Sequence, residues 1–196
     1  GVCINKVDRE ENHMQEDRDV FQMYLDEMAE IPACGAEENR RLLEEMAAGS
    51  AEAKNRLIEG NLHRAMALTR EYIGRGIPAE DLVQEANLAL LSAAETCGGE
   101  VFEAFLEKTV RSALEEAVRC QEAEDRVGEE MAARVNVLQD LSQDMARELG
   151  REATVEELAE RMKMTPEEIR EIMKMTMDAL SISGQYGGFA GREEKE

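Results

Sequence analysis

The 196-residue chain carries 44 acidic against 23 basic residues, a formal net charge of −21, and 43% hydrophobic but only 4% aromatic residues with no Trp. That length holds one or two domains with a real core, built of Leu, Met, Ala and Ile, and three prolines among strong helix formers predict an all-α protein. The balance excludes a broadly basic nucleic-acid binder, because phosphates are neutralised by Lys and Arg, so any DNA contact must come from a local basic patch.

Other classes fall away on pattern. No run of about 18 apolar residues exists, so no membrane span is predicted, and residues 1–18 lack a signal-peptide core. Cys3, Cys34, Cys97 and Cys120 are scattered without a Cys-x-x-Cys pair, and His13 and His63 supply no zinc pattern. They read as free thiols in a reducing cytoplasm. No phosphate-binding glycine loop or nucleophile elbow is present, so the expectation is a cytoplasmic, non-enzymatic protein with no cofactor and no metal.

In chain order, residues 1–18 show no hydrophobic period and are expected to be flexible. From Asp19 to Met28, Val20, Phe21, Tyr24, Leu25 and Met28 share a helical face; Pro32 and Gly35 break the chain. A helix over 36–48 points Leu42, Leu43 and Met46 inward and stops at Gly49. Ser50 caps a run to about Glu59, and Asn61 restarts a helix through Ile73. Gly74 and Gly76 bracket a turn.

The next stretch, Pro78 to Thr96, carries the densest information. Leu82, Val83, Ala86, Leu90 and Ala93 fall on one face, while Asp81, Gln84, Glu85 and Asn87 crowd the other. Pro78 suits the first turn, Glu80 and Asp81 the positive end, and Gly98-Gly99 closes the helix.

A helix over 100–118 follows, with Phe102, Phe105, Val110, Leu114 and Val118 in register. Glu115 to Glu130 then holds seven acids against two bases. A separate helix is expected over 129–149, ended by Gly150. Thr154 with Glu157 predicts a capping box, and Thr165-Pro166 with Glu168 a further helix start. Two short helices joined by a tight turn have a helix-turn-helix outline, but Leu158, Met162, Ile169 and Ile172 explain themselves as core. Met23, Met28, Met46, Met66, Met162 and Met164 likewise recur at helical positions as adaptable core. Residues 181–196 are Gly-rich and charged and read as a flexible tail.

The wording of several stretches adds a family. Asp81-Leu-Val-Gln-Glu-Ala-Asn-Leu-Ala-Leu-Leu91 resembles the motif Asp-Leu-Ile-Gln-Glu-Gly-Asn-Ile-Gly-Leu-Met of the bacterial sigma-70 family of RNA polymerase sigma factors. Asn61-Leu62, Arg70-Glu71-Tyr72 through Gly76, the opening Asp19 to Met28, and Leu149 to Ile169 resemble neighbouring family segments, so the resemblance runs from about Asp19 to Ser183. It implies a sigma-factor-like helical bundle over 19–125, for polymerase docking and promoter binding, followed by a small three-helix domain over 126–180. It also implies core RNA polymerase as partner, with Asp81, Gln84, Glu85, Asn87 and Leu91 docking on the coiled coil of its largest subunit. Promoter DNA and an anti-sigma factor are further implied partners. The family's minus-thirty-five-reading domain is expected to be absent.

On the implied DNA face the framework is kept: Phe102, Phe105, Val110, Arg111, Ala113 and Leu114 follow the family pattern in step. The residues that would work on DNA are not. Lys108 and Thr109 occupy the Trp-Trp positions, and Ser112 stands where a base-contacting Gln is frequent. Glu130 and Ala133 replace a His and a Glu, and Arg126-Val127-Gly128 replaces Arg-Ile-Pro. Melting needs an aromatic wedge and a stacking pocket, each stacked base contributing about 1–3 kcal/mol. Phe102, Phe105, Lys108, Arg111, Ser112 and Arg126 therefore stand as DNA-contact candidates on a weakened surface. Two readings stay open: a sigma factor directing transcription initiation, or a sigma-like interaction protein that occupies polymerase as a decoy or regulator without reading promoters.

Overall fold

The computed structural model describes residues 4–183, and the side chains of residues 11–177. Among these, the elements are all helical: α1 (Ile4–Met28), α2 (Ala36–Ala47), α3 (Ala51–Thr69), a 3-10 turn (Arg70–Tyr72), α4 (Ala79–Thr96), α5 (Phe102–Leu149), α6 (Val155–Met162) and α7 (Pro166–Ser183). The chain divides into two compact units, Gly1–Ala123 and Glu124–Glu196, the boundary falling within α5.

The first unit is a bundle around α4. Leu82, Ala86, Leu90 and Ala93 are fully buried, and Leu57, Met66, Leu106, Val110 and Leu114 close over them from α3 and α5. The apolar spacing on α4 leaves an opposite polar face by construction. One polar pair lies inside this core. Asn61 Nδ2 donates to Asn39 Oδ1 at 2.8 Å and to the Leu57 carbonyl at 2.8 Å, and Asn39 Nδ2 donates to Glu103 Oε1 at 2.6 Å. Both amides are 1% exposed, so these bonds tie α2, α3 and α5 together at a place where an unmade bond would cost about 1–3 kcal/mol.

The second unit is built from the end of α5 with α6 and α7. Leu138, Met145, Leu158, Ala159, Ile169 and Ile172 form its core, flanked by half-buried Met162 and Met164. Thr154 and Glu157 make the reciprocal capping box at the start of α6. Lys163 ends α6 at φ 56°, a left-handed turn that lets α7 begin after Met164 and Thr165.

Several expectations are corrected. Residues 4–18, expected to be flexible, are helical and form the first part of α1. Within them, Asn12 with Glu16 and Gln15 with Asp19 are joined four residues apart, support that an apolar-period reading does not register. The tail expected over 181–196 begins inside α7, and residues 184–196 lie outside the described residues. The break expected near Gly60 is absent. α3 runs through it, and Gly60 is small because Cys34 lies against it: a Cβ there would sit 2.1 Å from Cys34 Sγ. Gly128 likewise leaves α5 unbroken, where two helices were expected. Pro78 is the N-cap residue of α4 rather than part of its first turn. Leu106, not Phe105, holds the buried register position on α5, and Met23 is 63% exposed.

Candidate polymerase-docking and nucleic-acid faces

α4 presents Asp81, Gln84, Asn87 and Leu88 as exposed and Glu85 and Leu91 as half-buried. With the apolar stripe fixed in the core, these side chains are carried on a helix that has no freedom to rotate. Among the described residues, no hydrogen bond or ion pair joins the side chains of Asp81, Gln84, Glu85 or Asn87 to another residue. Elsewhere in this unit acids are tied down: Glu38 holds Arg56 at 3.0 Å and Glu71 holds Arg111 at 2.7 Å. The α4 face is thus two carboxylates and two amides with their hydrogen-bonding capacity open. Leu88 adds an apolar point at 61% exposure between them. Sequence reasoning missed Leu88, although it stands outside the buried set at 82, 83, 86, 90 and 93, and that displacement was its signal.

The N-terminal end of α4 is set by residues far away in sequence. Pro78 offers no capping side chain; instead Asp17 Oδ1 accepts the Ala79 N–H at 2.9 Å. An acid at that end also meets the positive pole of the helix. Periodicity could not locate this contact, because Asp17 lies in a stretch without an apolar pattern.

The DNA-contact candidates on α5 are not equivalent. Phe102 is 3% exposed and belongs to the core, so it supports the helix and is closed to a base. Phe105 is half-buried against the same core. Lys108, Ser112 and Arg126 are exposed. Thr109 turns its hydroxyl back to the Phe105 carbonyl at 2.8 Å, which leaves no flat surface for stacking.

Arg111 is already occupied. Its two terminal nitrogens donate to Glu71 Oε2 at 2.7 Å and Oε1 at 3.1 Å, and Nε donates to Glu107 Oε1 at 3.0 Å. The bond from Arg111 holds the Glu71 carboxyl below the usual carboxylate range and raises the guanidinium further, so both stay charged. Along the acidic stretch, Glu116 pairs with Arg119 and is lowered by it. Glu115, Glu122, Glu124, Asp125, Glu129 and Glu130 are exposed. The surface beyond Arg111 therefore presents carboxylates.

No described helix is long and apolar enough to cross a membrane, and among the described residues no group of His, Cys, Asp and Glu is arranged to hold a metal ion.

Comparison with known proteins matches this architecture twice. Residues 57–124, which contain α4 and the start of α5, match the family model for sigma-70 region 2, and residues 133–188 match that for sigma-70 region 3. The chain is similar to the RNA polymerase sigma factor SigA of Bacillus sp, 34% identical over 167 residues that cover 84% of this chain and 44% of that protein. SigA of Listeria monocytogenes is 31% identical over 84% of this chain and 45% of its own length. That of Clostridium acetobutylicum is 33% identical over 74% and 39%. The chain spans less than half the length of these curated relatives. On the two matched regions and these relatives together, it belongs to the sigma-70 family.

Proposed function

We propose that this chain binds core RNA polymerase through the exposed face of α4 and takes part in DNA-templated transcription initiation. The observation that carries the reading is the open set Asp81, Gln84, Glu85 and Asn87, held on an immobile helix within the region-2 match while neighbouring acids are internally paired. A carboxylate-bearing face of this kind suits a basic helical partner, which the family resemblance identifies as the coiled coil of the largest subunit. Its place of work is then the cytoplasm, beside polymerase.

A second reading concerns what happens after docking. The absence of a stacking pair at Lys108 and Thr109, the capture of Arg111 by Glu71 and Glu107, and the exposed carboxylates of 115–130 favour a protein that occupies polymerase without melting promoters. Aromatic stacking and phosphate neutralisation are both missing there, and each alone would weaken DNA capture.

Polymerase capture followed by promoter melting separates the two. Core enzyme retained on immobilised protein supports the docking reading. Permanganate reactivity of the minus-ten strand in the presence of polymerase and this chain would overturn the second reading, and binding without reactivity would support it.

A further inference from the structure

The Arg111 guanidinium is held as a protein holds a phosphate. Two parallel bonds, 2.7 and 3.1 Å, run from its terminal nitrogens to both oxygens of Glu71, forty positions earlier in the chain. This is the fork geometry that guanidinium uses for carboxylate and phosphate alike. Tyr72 lies beside it, hydrogen-bonded to Arg111 and donating to Glu115 Oε1 at 3.4 Å. The Arg75 guanidinium stands over the Tyr72 ring, 5.4 Å from its centre. Lys108 is one turn before Arg111 on α5 and exposed. Arg75, Lys108 and Arg111 thus lie around Tyr72 on a chain that is otherwise strongly acidic.

We propose that this cluster is a self-capped phosphate-binding site: Glu71 fills the Arg111 fork in the resting chain, and a backbone phosphate of single-stranded DNA takes its place. The inference rests on the reading of this α5 face as the DNA side and is independent of docking through α4. The pair is exposed, with side chains at 34% for Arg111 and 54% for Glu71, so water and salt screen it and its displacement is cheap. A strand offers what free carboxylate cannot: several phosphates at once, and release of condensed counterions on binding. Glu71 therefore sets a threshold. Contact is suppressed until DNA is delivered at high local concentration, as it would be beside polymerase.

The test uses the whole chain and a short single-stranded oligonucleotide, with affinity measured across a salt series. Glu71→Gln keeps the shape of the side chain and removes its charge. Its affinity should exceed wild type by about three- to fivefold, the range a screened surface pair permits. Its salt slope should steepen by about 0.7, one further phosphate contact. Glu122→Gln, the same charge change at an exposed α5 position, should give less than half that gain, and Glu71→Gln with Arg111→Ala should lose it. Equal affinity of Glu71→Gln and wild type, an equal gain from Glu122→Gln, a gain that survives Arg111→Ala, or no binding by Glu71→Gln at millimolar strand overturns the proposal. The Arg111 Nε–H resonance supplies the other arm. If inorganic phosphate at equal phosphate concentration shifts it as far as the strand does, the site takes free phosphate and the strand assignment fails. Polymerase capture by Glu71→Gln, measured alongside, shows whether the docking reading stands regardless.

Discussion

Asp17 caps Ala79: the carboxylate of a residue in α1 accepts the first amide of α4 at 2.9 Å, so α1 fixes where the candidate docking helix begins. The contact replaces the capping side chain that Pro78 cannot supply. Val20 and Phe21, one turn further along α1, pack on the same core, so the capping acid is held in place by burial.

Removing that cap should be measurable. Asp17→Ala is expected to lower stability to urea by about 0.5–2 kcal/mol, the usual loss for a capping acid. Asp17→Asn keeps an acceptor oxygen and should lose clearly less. Equal loss from both would assign the effect to charge alone.

Gly60 gives a second prediction. A methyl group there meets Cys34 Sγ at 2.1 Å and Cys34 Cβ at 2.9 Å, with the Cys34 amide already bonded to the Gly60 carbonyl at 2.8 Å. Gly60→Ala should therefore cost about 1–3 kcal/mol by overpacking, although alanine is the better helix former. Adding Cys34→Gly should recover part of the loss by removing both atoms in the way. A double variant less stable than the sum of its parts would contradict this geometry.

The second unit should respond to acid through Glu157. Its bond to Arg151, with the Thr154 amide, holds the carboxyl down at about 2 from an ordinary 4.5. A carboxyl lowered on folding contributes stability that is complete above 4.5 and is lost as pH falls from 4.5 toward 2. Acidification also relieves repulsion in a chain of net charge −21, which acts the other way. The informative quantity is thus the difference between wild type and Glu157→Gln in urea unfolding. It should shrink steadily below pH 4.5; a difference independent of pH would remove the Arg151 bridge as its source.

Most of the architecture was legible because burial follows a 3.6-residue period: the face through Leu82, Val83, Ala86, Leu90 and Ala93 is buried throughout. Caps built from neighbours were legible as well, since Thr154 and Glu157 are three residues apart. What escaped depends on partners distant in sequence. Gly60 and Gly128 read as breaks because glycine disfavours helices. Yet one is demanded by Cys34, and the other sits in a helix that continues past it. The exposed α4 face was readable from the same period that defined the core. The pairing of Arg111 with Glu71 was not, because nothing within either local segment announces a contact across forty positions.

The central claim is that α4 docks on polymerase, and charge reversal on its open face tests it most directly. Asp81→Lys with Glu85→Lys should leave the helical signal intact while weakening core polymerase capture by about tenfold or more at low salt, with a smaller difference as salt rises. Equal capture of polymerase by this variant and wild type across the salt series would contradict the account.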